Sequence, residues 1–295
     1  MTKTSVPRIL FILNPQAGKR NTRRFLRQLK PYQTVVDIRF SEFPGHATRI
    51  VREEMDSYDI FVAAGGDGTV NEVASELAGT NKKLAVYPSG SGNGFAHEFG
   101  FGKSIDRLMA AIRRGQIIQT DVIRINNRPC VHIAGTGFDS AVTTEFETLK
   151  RHGFLNYAIS ILNVALNYRP IEATIQLENE TISGKFFMIN TANTGQFGYN
   201  IRIAPTANPA DGRFDLVLVS AFPRWYFPFF TLQLLAGKLQ TSPYVRYISC
   251  DTEITLSTPF TSFQIEGEPV QIDSPVKIRM EPGRLNVIDT SQTRF

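Results

Sequence analysis

Read for apolar and polar positions, the chain changes character once. Up to about residue 120, short apolar runs alternate with stretches where apolar residues recur every three or four positions. Residues 8–13, 34–40, 60–64 and 83–87 predict strands. The runs 8–13 and 60–64 read as strands buried on both faces. Residues 22–30, 45–54, 70–77, 95–99 and 104–113 predict helices, and Gly115 closes the last of them. Strands alternating with helices imply a parallel, doubly wound α/β domain. Beyond residue 120 the pattern is mostly strand-like: 116–126, 130–136, 171–177, 181–193, 213–220, 244–257, 261–272 and 276–280. Turn signals such as Asp211-Gly212 separate many of these runs. Helical patterns at 140–167 and 226–239 interrupt them. This half predicts an antiparallel β-sandwich. The expected domains are therefore 1–120 (α/β) and 121–295 (β), with the last strand free to pack back on the first domain.

Three predicted strands run into loops rich in turn residues, and ligands of doubly wound sheets bind beyond the carboxyl ends of strands. The central loop is Gly65, Gly66, Asp67, Gly68 and Thr69, followed by a helix. Glycines let a backbone approach phosphate closely, and a helix start offers unpaired N–H groups at a positive dipole end. Asp67 is unusual there, because a carboxylate repels phosphate unless a cation such as Mg²⁺ bridges them. A glycine-rich turn with Asp67 as a helix cap stays open. Neither a Gly-Lys-Ser/Thr phosphate loop nor a Gly-x-Gly-x-x-Gly fingerprint occurs. The other two loops are Asn14-Pro15-Gln16-Ala17-Gly18 and residues 88–94, Pro-Ser-Gly-Ser-Gly-Asn-Gly, which include Ser91.

Composition narrows the partners. The 295 residues carry a net charge of +5, with 20% charged and 42% hydrophobic residues. A mildly basic chain favours anionic partners: phosphates, an acidic lipid surface or nucleic acid. Nucleic acid ranks last, since there is no dense Lys/Arg run or nucleic-acid motif. Two cysteines, Cys130 and Cys250, exclude a disulfide framework and fit a reducing cytoplasm. No apolar run reaches the ~18 residues of a spanning helix, and the N-terminus has no signal-like core.

In this order, the motifs resemble the diacylglycerol kinase catalytic family, including its bacterial lipid kinases and its sphingosine kinase branch. The matching elements are residues 14–18, the Gly65–Thr69 loop with Asn71 and Glu72, and residues 88–93. Further along they are Gly135-Thr-Gly-Phe-Asp139, Ala204-Pro205 with Asp211-Gly212, and Glu266-Gly267-Glu268. The resemblance implies an NAD kinase/phosphofructokinase-like α/β domain joined to a β-sandwich, with the active site in the cleft between them. It implies transfer of the ATP γ-phosphoryl group to a lipid hydroxyl with Mg²⁺. It gives Asp67 the role of organising Mg²⁺ and Glu268 that of general base. Asn14, Pro15, Gln16, Ala17, Gly18, Ser41, Gly65, Gly66, Asp67, Gly68, Thr69, Asn71, Glu72 and Ser91 become nucleotide contacts. Asn208, Asp211 and Arg213 become a structural Mg²⁺ site, for which a plain Asp-Gly turn is the alternative.

Two positions depart from the family pattern: Gly94 stands where bacterial members usually have Asp, and Glu266 replaces the first Asp of the triplet. Glu268 taken alone also reads as a solvated turn residue. A soluble-metabolite kinase of the NAD kinase type and a non-catalytic nucleotide-binding module remain open. The expected setting is cytoplasmic with transient membrane contact, a lipid acceptor at the membrane surface and no transmembrane segment; a homodimer stays open. Residues 221–235 hold the only tryptophan among many aromatics. That stretch suits either a headgroup interface or a helix packed on the sandwich.

Overall fold

The computed structural model describes residues 7–17, 22–90, 92–148, 154–198 and 201–291. The predicted contacts Gly18 and Ser91 lie outside them. The chain forms two compact units, Met1–Thr120 with Gly283–Phe295, and Asp121–Pro282.

The first unit runs β1 (Ile9–Leu13), α1 (Thr22–Leu29), β2 (Val36–Phe40), α2 (His46–Glu54), β3 (Ile60–Gly65), α3 (Asp67–Leu77), β4 (Lys83–Pro88), α4 (Gly94–Glu98) and α5 (Ile105–Arg114). Strand β5 (Ile117–Ile125) then crosses into the second unit. The parallel sheet has the order β2-β1-β3-β4. Every residue of β1 and β3 is buried, as continuous apolar runs dictate. Because the chain moves outward to β2 and then back past β1 to β3, right-handed crossovers put helices on both faces. Accordingly α1 packs with α5, and α2 with α3. Ser104 caps α5 by accepting from the Arg107 N–H, and Gly115 at φ 69° closes it.

In the second unit come β6 (Arg128–Cys130), β7 (Ile133–Gly137), α6 (Phe138–Thr148), α7 (Phe154–Asn167), β8 (Ile171–Gln176), β9 (Thr181–Ala192), β10 (Gln196–Gly198), β11 (Ile201–Arg202) and β12 (Phe214–Ser220). They are followed by α8 (Phe227–Leu235), β13 (Val245–Cys250), β14 (Ile254–Ser257), β15 (Ser262–Ile265), β16 (Glu268–Gln271) and β17 (Val276–Ile288). The pairings β16-β15-β7-β9-β8-β14-β17 and β9-β12-β13 are antiparallel. Strand β9 organises the unit. Its first half pairs β8, and its fully buried second half lies between β7 and β12. One core fills the space among β7, β8, β12, β14 and β15. A second, rich in phenylalanine, lies beneath α6, α7 and α8.

Several predicted elements are shorter or divided. Residues 130–136 break at Val131-His132, and 244–257 break at Asp251-Thr252-Glu253. Residues 261–272 form a hairpin whose two-residue loop is Glu266 and Gly267, at φ 57° and 79°. Two positive φ values are what an I′ hairpin turn requires. The apolar alternation runs on across that turn and hides it. The predicted helix 140–167 is two helices, and 226–239 is helical only over Phe227–Leu235. Strand β17 continues past Pro282 and Gly283 to Ile288, and Asn286 and Val287 pair with Lys83 and Leu84 of β4. Leu285, Val287 and Ile288 are fully buried there, and Pro282 and Gly283 before them read as the end of a strand.

Candidate active site

The parallel register decides where the loops of the first unit emerge. Leu13 pairs with Phe40 and Ala64, and Gly65 pairs with Pro88. The carboxyl ends of β2, β1, β3 and β4 therefore stand in a row, and Ser41 and residues 14–17, 66–69 and 89–90 leave from it. Backbone hydrogen bonds fasten the loops together. Asn14 N–H donates to Ala64 O at 3.0 Å, Ser41 N–H to Leu13 O at 2.9 Å, and Ser89 N–H to Gly65 O at 2.9 Å.

Small residues are needed for this. A Cβ on Gly90 would lie 2.5 Å from Gly66 Cα, and one on Gly65 would overlap the Thr69 side chain. The Asn14 carboxamide closes its own loop by accepting from the Gln16 N–H at 2.9 Å, and its Nδ2 donates to Thr69 Oγ1 at 3.3 Å. Pro15 and Ala17 complete that turn. Asn71, one turn into α3, accepts from Ser75 Oγ.

Asp67 lies at the first position of α3. Burial pushes its carboxyl above the ordinary value. The amides of Asn93, Phe95 and Gly94 and the His97 ring pull the other way. The carboxylate thus serves the start of α4, not that of its own helix. Its Oδ1 is sealed from solvent with no hydrogen-bond partner, as are Ser89 Oγ and Asn93 Oδ1. Buried polar atoms are ordinarily paired. Three unpaired ones on two adjoining loops mark a place that has use for a polar ligand, and a cation or its bound water suits an orphaned carboxylate oxygen. Gly94, the departure from the family pattern, supplies one of the amides near Asp67.

Glu72 has different chemistry. Its two carboxylate oxygens accept from the N–H groups of Gly45, Ala47 and Thr48 at 2.9, 2.9 and 3.3 Å, at the start of α2. Gly45 is at φ 83° and supplies no side-chain cap, so Glu72 provides it from α3.

The second unit places its acidic triplet at the β15–β16 hairpin. Glu266 is buried and held at positive φ, a strained conformation for a residue with a Cβ. Its Oε1 accepts from the Val131 and His132 N–H groups at 2.7 and 2.8 Å, which holds it there. The longer side chain in place of Asp is thus anchored to backbone. Glu268, exposed, opens β16. Behind the turn, Gln264 Oε1 accepts from the Gly267 N–H at 2.9 Å, and Gln264 Nε2 donates to Asp139 Oδ2 at 3.1 Å. Asn190 Nδ2 donates to the same oxygen. Gly135 has no room for a Cβ, which would meet Asn190 Nδ2 and Asp139 Oδ2. Burial pushes the Asp139 carboxyl up to about 6, against the pull of its Gln264 and Asn190 hydrogen bonds. Burial lowers His132 to about 4. Sequence reading singled out residues 135–139 as a motif but gave Asp139 no partners. Asn190 and Gln264 carried no local signal, because each is one of several polar residues in its strand and nothing in their spacing links them to Asp139.

The third group is the turn before β12. Asn208 Oδ1 accepts from the Ala210 N–H, and Asp211 Oδ1 from the Arg213 N–H at 3.0 Å. Gly212 N–H donates to Asp121 Oδ2 at 2.6 Å. Among the described residues, no group of three or more His, Cys, Asp or Glu side chains could hold a metal ion. A cation at this turn would need one carboxylate together with backbone carbonyls and water.

Residues 8–125 match the diacylglycerol kinase catalytic domain, and residues 129–289 match the YegS C-terminal NAD kinase beta sandwich-like domain. The chain belongs to the diacylglycerol kinase family. It is therefore of a kinase family, with an α/β catalytic domain and a β-sandwich domain. Among relatives of this kinase, a probable lipid kinase YegS of Salmonella paratyphi A is 30% identical over 219 residues, 71% of this chain and 73% of that one. A diacylglycerol kinase of Bacillus subtilis is 28% identical over 225 residues, 72% of this chain and 73% of that one. In fold, the kinase is similar to a crystal structure described as a diacylglycerol kinase of Bacillus anthracis. The TM-score is 0.74 at 18% identity, over 99% of this chain and all of that one.

Proposed function

We propose that this kinase transfers the γ-phosphoryl group of ATP to a hydroxyl of a lipid acceptor of the diacylglycerol kind, in a Mg²⁺-dependent reaction. The observation that carries the reading is the set of unpaired atoms Asp67 Oδ1, Ser89 Oγ and Asn93 Oδ1, set on adjoining glycine loops at the strand ends. The N–H groups at the start of α3, in Gly66–Thr69, meet the nucleotide phosphates, while the loops around Asn14–Ala17, Ser41 and Ser89, whose own N–H groups are bonded within the protein, shape the site, with Asn14 bonded to Thr69. Asp67 would hold Mg²⁺, directly or through its bound water, by Oδ1, and the Asp211 carboxylate with the backbone carbonyls of Asn208 and Arg213 would hold a second, structural cation. When bound, Mg²⁺ neutralises charge that develops on the phosphates. Glu268 takes the proton of the acceptor hydroxyl as it attacks phosphorus, and its turn is kept in place by Glu266 and Gln264. The chain acts in the cytoplasm and visits the membrane for its acceptor. Among the described residues no helix is long and apolar enough to cross a membrane.

The test is transfer of labelled γ-phosphate to a panel of lipid hydroxyls in mixed micelles, with NAD and fructose 6-phosphate alongside. Labelled lipid, lost when Mg²⁺ is chelated, is the expected result. Labelled NAD or sugar would replace the lipid reading by a soluble-metabolite kinase. ATP binding with no label in any acceptor would mean a non-catalytic module.

A further inference from the structure

Helix α8 and the 3₁₀ turn Arg224–Tyr226 before it are almost wholly apolar around their circumference, yet only one side is packed. Phe230 is buried, and Tyr226, Phe227 and Leu234 pack against the phenylalanine core. Opposite them, Trp225, Phe229, Leu232 and Leu235 are 68, 56, 64 and 59% exposed. Their spacing, i, i+4, i+7 and i+10, makes one continuous outer face. A helix with one packed side ordinarily carries polar residues on the other. Helix α7 repeats the departure. Tyr157, Ile161, Val164 and Ala165 pack on the same core, while Leu162 and Leu166 stand exposed. Tyr168, just after α7, and Phe227, at the start of α8, both meet the rings of Phe138 and Phe187 edge-on or tilted, so the packed sides of the two helices rest on one support.

The charges select the occupant. From Leu216 to Cys250 there is no Asp or Glu, and Arg224 and Lys238 flank α8 at its two ends, both exposed. Arg246 in this stretch is paired with Glu180. Helix α7 has no charged residue of its own and is followed by Arg169. Glu145 reaches it, accepting from Asn163 Nδ2 at 3.0 Å. We propose that the outer face of α8, with that of α7 beside it, is the surface by which this kinase docks on an anionic lipid bilayer. Large apolar side chains enter the acyl boundary while Arg224 and Lys238 meet lipid phosphates, and tryptophan is at home at that boundary. A second copy of the chain would bring the same cations against like charge. The proposal deepens the lipid-acceptor reading and takes its purpose from it, though its geometry stands alone.

Trp225 is the only tryptophan, so its emission reports this face directly. The full chain, without nucleotide, is titrated with phosphatidylcholine vesicles with and without phosphatidylglycerol, and with brominated lipid as a quencher. The expected result is a blue shift and quenching, tighter with phosphatidylglycerol and weakened by salt. Phe229→Ser combined with Leu232→Ser should raise the vesicle concentration for half-binding by about tenfold or more, with an unchanged melting curve. Emission that ignores vesicles would overturn the proposal. So would a shift that follows protein concentration alone, together with a rise in mass, since a second copy would then cover the face. Neither readout needs turnover, so a failure of the kinase reading would leave vesicle binding intact. A docking failure would leave transfer to a soluble short-chain acceptor intact.

Discussion

The two candidate parts of the active site are built in opposite ways. In the first unit the glycine loops are made of backbone: strand ends in register, glycines in contact at Gly66 and Gly90, and few side chains. In the second unit the hairpin of Glu266 and Glu268 is held by its own Gln264 and, from far along the chain, by Asp139, which Asn190 supports, and by the amides of Val131 and His132. Apart from Asp67, whose carboxyl burial raises, the first construction costs little electrostatically, because backbone N–H groups carry no net charge. The second buries ionisable groups, so it ties local stability to pH. Backbone construction suits a ligand that brings its own charge, and side-chain construction suits a proton acceptor that must be aimed.

The largest effect should come from the one side chain on which the backbone-built part depends. Asp67→Asn keeps the shape and the contact with the amides of residues 93–95 but loses the anionic Oδ1. Phosphoryl transfer should fall by about 10²–10⁴-fold, and the Mg²⁺ concentration for half-maximal rate should rise, with the melting temperature held. Steady-state kinetics across a Mg²⁺ series would read both. An unchanged Mg²⁺ requirement would reduce Asp67 to a cap of α4.

The next effect sharpens the contrast through pH. Asp139, raised from 3.8 to about 6, stabilises the fold most below pH 4, and that contribution is lost as pH rises to 6. His132, lowered from 6.5 to about 4, acts with the opposite sign over nearly the same window, since the unfolded chain binds the proton that the folded one refuses. The two slopes offset each other in the native protein. Asp139→Asn should uncover the His132 slope, with stability rising from pH 4 to 7 by about 3 kcal/mol. His132→Gln should uncover the reverse. Denaturant unfolding at pH 4, 5, 6 and 7 would measure this. A flat profile in both variants would contradict the electrostatic account of the second unit.

The smallest effect probes Glu72. Removing its cap of α2 by Glu72→Ala should cost about 1 kcal/mol and leave ATP affinity unchanged if capping is its whole role. Calorimetric titration with ATP beside thermal unfolding separates the roles, because a fall in affinity would assign Glu72 to the nucleotide.

The same difference in construction explains what could be read from the sequence. The strand–glycine-loop–helix units of the first domain are contiguous, so strands 60–64 and 83–87 and the Gly65–Thr69 loop were visible as patterns. The fold classes of the two halves followed from the apolar pattern and the family from the ordered motifs. Several things were hidden because their causes are not local. Asp67 and Glu72 serve helices other than their own, which no spacing along α3 discloses. The β15–β16 turn lies inside an apolar alternation, with Glu266 holding a positive φ that its long-range amide bonds stabilise. The apolar residues 221–235 fitted either core or surface, and only the packing of Phe230 against the exposure of Leu232 separates the two sides.

The measurement that bears most directly on the account is γ-phosphoryl transfer by Glu268→Gln with ATP binding followed in parallel. The account predicts nucleotide affinity equal to the unaltered chain and a transfer rate to lipid lower by about 10²-fold or more, since the backbone loops bind and the hairpin carboxylate takes the proton. Transfer at the original rate, or loss of nucleotide binding together with activity, would contradict that division of labour.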